Sequence, residues 1–315
     1  MLESFFYIPL GLILLYYGAE GLVSGASRLA LGLGVSALSV GLTVVAFGTS
    51  APELFVSLHA ALSGMEDVAL GNVVGSNICN IALILGVAAV LKPVEINARL
   101  IKWDMPVLII ASSWMLYALV NKNIGRVEGA ICFLGLVAYL AFNLWEARRE
   151  AEPVKDVIAS ASPEPGASLG RNLLFIALGL AGLALGASWF VRGAIVVAEF
   201  AGLSPAFIGL TIVAVGTSLP ELAVTVLAAR RGQGDIAVGN IVGSNIFNIF
   251  GIVGITAMVQ PLERGGVLWQ DLAMMAVLTA ALVPLLLSGP HLTRSRGVLL
   301  LGSYFAYLAW RISIA

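Results

Sequence analysis

Residues 41–95 of the chain read GLTVVAFGTSAPELFVSLHAALSGMEDVALGNVVGSNICNIALILGVAAVLKPVE, and residues 209–263 read GLTIVAVGTSLPELAVTVLAARRGQGDIAVGNIVGSNIFNIFGIVGITAMVQPLE. The two stretches align without a gap, position 41 on position 209, and are identical at 31 of 55 positions. This identity indicates an internal duplication. Each copy places a proline and a glutamate in an otherwise apolar stretch, which is typical of a functional site because an acid at membrane depth is costly.

The composition is that of an integral membrane protein. Over 315 residues the chain is 59% hydrophobic and 11% charged, with a mean hydropathy of +0.99, whereas soluble domains are roughly 25% charged. We predict an all-α integral membrane protein with ten transmembrane helices. The predicted spans are residues 5–30, 37–64, 69–91, 104–120, 127–146, 172–197, 205–229, 236–260, 269–288 and 297–314.

The duplication predicts how the helices are organised. Five helices in each half force the second copy to enter the membrane from the opposite side. We therefore predict a first five-helix repeat at 1–147, a linker at 148–171 and an inverted second repeat at 172–315. Inverted repeats with interrupted helices are typical of secondary transporters. Alternate loops carry twelve and five Lys or Arg residues, which predicts a cytoplasmic linker, both termini outside and a location in the plasma or inner membrane.

The prolines predict free backbone acceptors in each copy. Pro52 and Pro220 have no N–H for the preceding turn, so we expect unpaired carbonyls around residues 46–48 and 214–216. Lipid cannot satisfy such oxygens, but a dehydrated cation can.

Polar side chains surround these predicted breaks in the helices. Each repeat has hydroxyls beside its acid and a polar residue at every fourth position of the next helix. The residues are Thr49, Ser50 and Glu53 with Thr217, Ser218 and Glu221, and Asn72, Ser76 and Asn80 with Asn240, Ser244 and Asn248. Pooled at a two-fold axis, this all-oxygen set is the kind that calcium or sodium prefers. Two glutamates balance one divalent ion, two monovalent ions or two protons.

Other polar residues are interpreted as structural. The hydroxyls expected to bond back to their own helix are Thr43, Ser57, Thr211 and Thr225. Glu20 has Ser188 as its counterpart, so we expect it at a helix end or at the membrane interface. Glu53 and Glu221 have no basic residue at their depth in either repeat, which favours a functional role for them.

The motifs GTSAPE with GNVVGSNICN, and GTSLPE with GNIVGSNIFN, resemble the two alpha repeats of the calcium/cation antiporter superfamily, in particular its sodium/calcium exchanger branch. The resemblance implies a central calcium site formed by Glu53, Glu221, Thr49 and Thr217. It also implies sodium sites that use Ser50, Ser218, Ser76, Ser244, Asn80 and the carbonyls of Ala46 and Ala214. In the family, the first and sixth helices slide across the core to switch access.

One position departs from the family pattern. Several sodium/calcium exchangers carry Asp where this chain has Asn248, so two carboxylates rather than three set the charge of the expected site. Proton/calcium exchangers typically read GNxxE where this chain reads GTSxPE, which favours sodium as the counter-ion.

These observations predict a calcium/sodium antiporter embedded in the lipid bilayer, with a proton-coupled calcium antiporter and a cation channel as the alternatives. Calcium and sodium enter as transported ions. Nothing in the sequence indicates an enzyme, a cofactor, a nucleic-acid partner or an oligomer.

Overall fold

A computed structural model describes residues 2–120, 123–160, 169–200, 214–263 and 265–314. Residues 161–168 of the predicted linker and residues 205–213 of the predicted 205–229 span, which include Thr211, lie outside these residues. The helices are α1 Leu2–Leu33, α2 Ala37–Thr49, α3 Ala51–Leu62, α4 Glu66–Leu91, α5 Leu100–Val120, α6 Arg126–Ser160, α7 Leu169–Phe200, α8 Ala214–Thr217, α9 Leu219–Arg230, α10 Gly234–Val259, α11 Trp269–Leu287 and α12 Arg294–Ser313. Helix α6 continues into the predicted linker as far as Ser160.

The helical membrane architecture is confirmed at a coarse level. In the described part of the chain, seven helices are long and apolar enough to cross a membrane, or eight if the bent pair α2 and α3 is one span. The count of ten stays a prediction. Within the described ranges there are also four strands of two residues each, which the sequence did not predict: β1 Val94–Glu95, β2 Asn123–Ile124, β3 Leu262–Glu263 and β4 His291–Leu292.

The two GTS-x-PE motifs form sharp bends. Helices α2 and α3 meet at an angle of 43°. Ser50, between them, has φ −86° and ψ 6°, and Ser218 in the second copy has φ −88° and ψ 8°. Pro52 and Pro220 fall in the first turn of the helix that follows, where an N–H has no acceptor within its own helix. Each bend therefore puts a glutamate in the first turn of a new helix.

The duplication extends through the structure. The alignment of the two halves places α3 on α9, α4 on α10, β1 on β3 and β2 on β4, with the same bounds in each pair. Helices α4 and α10 also carry π-helical turns, at Cys79–Ile84 and Phe247–Val253. Strand β1 pairs antiparallel with β4, and β2 pairs antiparallel with β3. Exchanging the two halves converts one pairing into the other, so these two pairings are equivalent.

Helices α1 and α7 lie against each other at backbone contact. A methyl group added at Gly18 would lie 2.7 Å from the nitrogen of Leu183 and 2.9 Å from the carbonyl oxygen of Gly179. At Gly186 it would lie 2.8 Å from the nitrogen of Leu15. Glycine is required at these positions because small residues allow membrane helices to approach closely.

Candidate ion-binding site

The two predicted acids lie in the centre of the molecule. The side chains of Glu53 and Glu221 are 1% and 0% exposed. Each begins the helix after a bend, α3 or α9, and is covered by the polar face of the next helix, α4 or α10. The two carboxylates are close enough to interact electrostatically. The structure thus brings together two acids that lie in opposite halves of the sequence.

Each carboxylate is bound by the serine of the other repeat. Ser50 Oγ donates to Glu221 Oε1 at 2.8 Å, and Ser218 Oγ donates to Glu53 Oε1 at 3.1 Å. These reciprocal bonds join the two bends directly. The sequence predicted both serines near the site but did not indicate that each would bind the acid of the opposite copy.

The threonines lie one turn before the acids, as expected. Thr49 is 1% exposed, and its Oγ1 donates towards Asn240 Oδ1 at 3.1 Å and the Ala46 carbonyl at 3.2 Å. Thr217 is half-buried at the equivalent position. In this structure the Thr49 hydroxyl therefore contacts helix α10 of the second repeat.

The expectation of an unpaired carbonyl at Ala46 is wrong. This oxygen accepts from the backbone N–H of Ser50 at 3.1 Å and from the hydroxyls of Thr49 and Ser244 at 3.2 and 3.3 Å. The reason is that Pro52 removes the N–H that would otherwise donate to the carbonyl of Gly48. The carbonyl of Ala46 is paired with the N–H of Ser50, which Pro52 does not affect. An ion that binds Ala46 would require both hydroxyls to turn away. In the second copy, Ser218 N instead donates to Val215 O, and Ala214 is the first residue of α8.

Asn72, Ser76 and Asn80 form a polar stripe along one face of α4, and they make two kinds of contact. Asn72 Nδ2 donates to the Glu53 carbonyl at 3.2 Å and to Ser57 Oγ at 2.9 Å, so it ties α4 to α3. Ser57 Oγ donates to the Ala69 carbonyl at 3.3 Å, so the prediction that Ser57 bonds back to its own helix is wrong. Ser76 and Asn80, one and two turns further along, face the centre of the molecule.

The stripe of α10 repeats this division. Asn240 Nδ2 donates to the Glu221 carbonyl at 3.5 Å and to Thr225 Oγ1 at 2.9 Å. Ser244 bonds Ala46, and Asn248 Nδ2 donates to Ser76 Oγ at 3.0 Å. Both helices therefore present their second and third polar residues to the opposite repeat. Of the hydroxyls interpreted as structural, Thr43 does bond back to its own helix, at the Ser39 carbonyl.

Four buried oxygens at this centre lack a hydrogen-bond partner in the described part of the chain. They are Glu53 Oε2, Glu221 Oε2, Asn80 Oδ1 and Asn248 Oδ1. Each repeat contributes one carboxylate oxygen and one amide oxygen. Buried acceptors without donors are costly, and a cation of the hard, oxygen-binding class would satisfy them.

Two asparagines at the centre were missed by the sequence analysis. Asn77 Oδ1 accepts from Asn248 Nδ2 at 3.1 Å, and Asn245 Oδ1 accepts from Asn80 Nδ2 at 3.0 Å. Both are buried, and they too occupy equivalent positions of the two repeats. Their signal was present in the motifs GSNICN and GSNIFN, whose first asparagine is repeated as faithfully as the second.

Glu20 lies well inside α1 rather than at a helix end. Its carboxylate forms an ion pair with Arg231, which also donates from Nη1 to Ser24 Oγ at 3.0 Å. The helix-end alternative is therefore wrong, and the position at the membrane interface stays a prediction. The residue takes no part in the central cluster.

Known proteins match this chain over almost its whole length. A family model described as sodium/calcium exchanger protein matches residues 3–145 and 171–313. The chain is 36% identical to the putative antiporter CaxA of Alkalimonas amylolytica, with 98% of each chain covered. It is 34% identical to the sodium/calcium exchanger MaX1 of Methanosarcina acetivorans, with 97% of each chain covered. A solved structure of the sodium-calcium exchanger NCX_Mj, soaked with sodium and calcium, gives a TM-score of 0.83 at 31% identity and 98% coverage of each chain.

Proposed function

The chain belongs to the sodium/calcium exchanger protein family, and on that premise we propose that it is a secondary active antiporter that exchanges calcium for sodium. Membership makes it a multi-pass membrane transporter of the cation antiporter class. The finer proposal is that one ion site, built on Glu53 and Glu221, is exposed alternately to the two sides of the membrane.

The set of four buried oxygens without donors carries this proposal. Glu53 Oε2 and Glu221 Oε2 lie with two amide oxygens in a region where the described side chains supply hydroxyls and amides but no ammonium or guanidinium partner for either acid. An uncompensated buried charge is strongly destabilising. The arrangement therefore favours a site that is occupied by cations during the transport cycle.

The charge of the site explains why transport would be exchange rather than leak. Two ionised glutamates are neutralised by one calcium ion or by two sodium ions. An empty site would leave both charges uncompensated in a medium of low dielectric, which disfavours its reorientation. Release of one ion species must then be followed by binding of the other before the protein can return.

The repetition of the elements supports alternating access. A single gapless alignment relates the bends, the π-helical turns and the strands of the two halves. We propose that the halves are inverted repeats within a ten-helix plan and that the sliding helices of the family correspond to α1 and α7. The protein would lie in the plasma or inner membrane. Both termini would lie on the outer side of that membrane, and the segment between the repeats would lie in the cytoplasm.

Calcium flux in proteoliposomes tests the coupling. The purified full chain is reconstituted, and calcium uptake is measured with an outward sodium gradient at fixed pH and clamped voltage. We expect uptake that depends on the sodium gradient and stops when the gradient is removed. Uptake that needs a pH gradient instead would identify a proton-coupled calcium antiporter, and calcium conductance with neither gradient would identify a channel.

A matched control separates transport from leak. The double variant Glu53→Gln/Glu221→Gln keeps the shape of both side chains and removes both charges. Vesicles that contain it should show no gradient-dependent uptake at equal protein incorporation. Equal uptake by the wild type and the double variant would contradict the two-glutamate site whatever the driving ion.

A further inference from the structure

Two amide pairs link the repeats next to the carboxylates. Asn80 lies in the π-helical turn of α4 and donates Nδ2 to Asn245 Oδ1 at 3.0 Å. Asn248 lies in the equivalent turn of α10 and donates Nδ2 to Asn77 Oδ1 at 3.1 Å. All four side chains are at most 1% exposed. The same contact is therefore made twice, once in each direction between α4 and α10.

The hydrogen bonds decide which end of each ligand amide faces the centre. Ser76 Oγ donates its one hydrogen to the Val73 carbonyl at 3.1 Å, so it can only accept from Asn248 at 3.0 Å. Asn77 Oδ1 accepts from the same Nδ2 group. The amino end of Asn248 is thus held by two acceptors, and its oxygen is the free end.

The orientation matters because an amide has two opposite ends. The Oδ1 end attracts a cation, whereas the Nδ2 end carries partial positive charge and repels it. Asn80 Oδ1 and Asn248 Oδ1 are both buried and have no partner in the described structure. A ligand amide that turned over would replace an attractive contact with a repulsive one at no change in shape.

We propose that Asn77 and Asn245 are positioning residues, which accept the amino groups of Asn248 and Asn80 and thereby aim the oxygens of those amides at the transported cation. The inference rests on the proposed function and deepens it. Partners that orient metal ligands in this way typically change metal affinity by about 10- to 100-fold when they are removed.

The two positioning residues are held differently. Asn77 Nδ2 contacts Met275 Sδ at 3.7 Å, whereas Asn245 Nδ2 is buried without a partner in the described residues. The position equivalent to Met275 is Val107, which has no acceptor. A thioether is only a weak acceptor, but it gives Asn77 one more contact. The oxygen of Asn248 should therefore be the more firmly aimed of the two.

A double-mutant cycle separates positioning from packing. Asn77→Leu keeps the approximate shape of the side chain and removes the acceptor, so we expect calcium affinity to fall about 10- to 100-fold. In an Asn248→Asp background the same change should cost less than about threefold, because a carboxylate presents oxygen at either end and needs no orientation. The measurement is calcium binding to the purified full chain by titration calorimetry, with a matched thermal unfolding curve.

If Asn77→Leu does not fold, the same test is made on the second amide pair, Asn245 and Asn80. There, Asn245→Leu is compared in the wild-type and Asn80→Asp backgrounds. A buried asparagine outside the cluster, Asn143, provides the control: Asn143→Leu should lower the unfolding temperature without changing calcium affinity.

The outcomes separate the positioning role of Asn77 and Asn245 from the proposed antiport function. A loss of affinity that is equal in the amide and carboxylate backgrounds would overturn the positioning role and leave the proposed function standing. Wild-type protein that binds neither calcium nor sodium would overturn the proposed function, and this inference with it.

Discussion

The two repeats make equivalent contacts at the centre of the molecule, whereas an ion pair at its periphery has no equivalent. At the centre, Ser50 binds Glu221 and Ser218 binds Glu53, so these two contacts are equivalent. At the periphery, Arg231 binds Glu20 and Ser24 on α1. The residues equivalent to Arg231, Glu20 and Ser24 are Ser63, Ser188 and Arg192, which cannot form the same ion pair.

This difference indicates how an antiporter of this design could favour one side. Inverted repeats exchange conformations when access switches, so a fully symmetric protein would have two states of equal energy. The residues proposed to bind the ions come close to that condition. The polar contacts between Arg231 and α1 do not, because Ser63, Ser188 and Arg192 cannot reproduce them. Under the proposed function, we therefore expect that different variants alter the chemistry of the site and the balance between the two access states.

Removing one acid from the symmetric centre should have the largest effect. Glu53→Gln and Glu221→Gln each keep the side-chain shape and remove one of the two charges, and the loss of one partner of a buried ionic contact costs about 3–5 kcal/mol. We expect each variant to lower sodium-driven calcium transport in proteoliposomes by about 100-fold or more. Because the site is symmetric, the two losses should be similar.

Glu20→Gln is the matched control for this prediction. It removes an acid from a membrane helix outside the central cluster and should retain most of the flux. Transport near the wild-type rate in Glu53→Gln or Glu221→Gln would exclude that glutamate from the site. Unequal losses would show that the two repeats bind different ions.

Adding a third acid should break the symmetry of charge at the centre. With two carboxylates, one calcium or about two sodium ions neutralise the site, and a third sodium would leave a net positive charge in a medium of low dielectric. We expect wild-type exchange to be insensitive to membrane potential. Asn248→Asp should make it voltage-sensitive by raising the sodium requirement to about three ions per calcium, which flux at imposed potassium-diffusion potentials would measure.

Asn80→Asp is the mirror of that variant. It places the extra carboxylate in the first repeat, and a symmetric site should respond in the same direction. A wild-type exchanger that already responds to voltage would mean that groups beyond Glu53 and Glu221 set the charge of the site.

The symmetric part of the molecule was the part that the sequence could predict. The gapless alignment of the two halves located both bends, both acids and both polar stripes, because a duplicated polar residue in an apolar stretch is conspicuous. It could not predict that Ser50 would reach Glu221 rather than Glu53. The two copies carry the same residues, so the alignment contains no information about which copy supplies each partner.

Other failures came from features that local patterns do not encode. The paired strands have two residues each, too few for an alternating pattern to stand out. Ser57 reaches α4, although the rule for a single hydroxyl in a helix predicts a bond within its own helix. Asn77 was overlooked because it lies beside the four-residue stripe, and the π-helical turn that brings Asn80 into place departs from the period of an ordinary helix.

Removing the ion pair between Arg231 and Glu20 should have the smallest effect on transport, but it should change the KM for calcium differently on the two sides of the membrane. Arg231 and Glu20 have side chains about one third exposed, and such an ion pair contributes roughly 0–1 kcal/mol after solvent screening. Arg231→Gln should therefore alter the ratio of the two access states by no more than about fivefold. Because the site itself is unchanged, the apparent KM for calcium should rise on one side of the membrane and fall on the other. Flux into right-side-out and inside-out vesicles measures both values.

Arg192→Gln, which removes an exposed charge from the equivalent helix α7, is the control and should leave both KM values unchanged. A parallel change on the two sides after Arg231→Gln would mean that this contact supports the ion site rather than the balance between states.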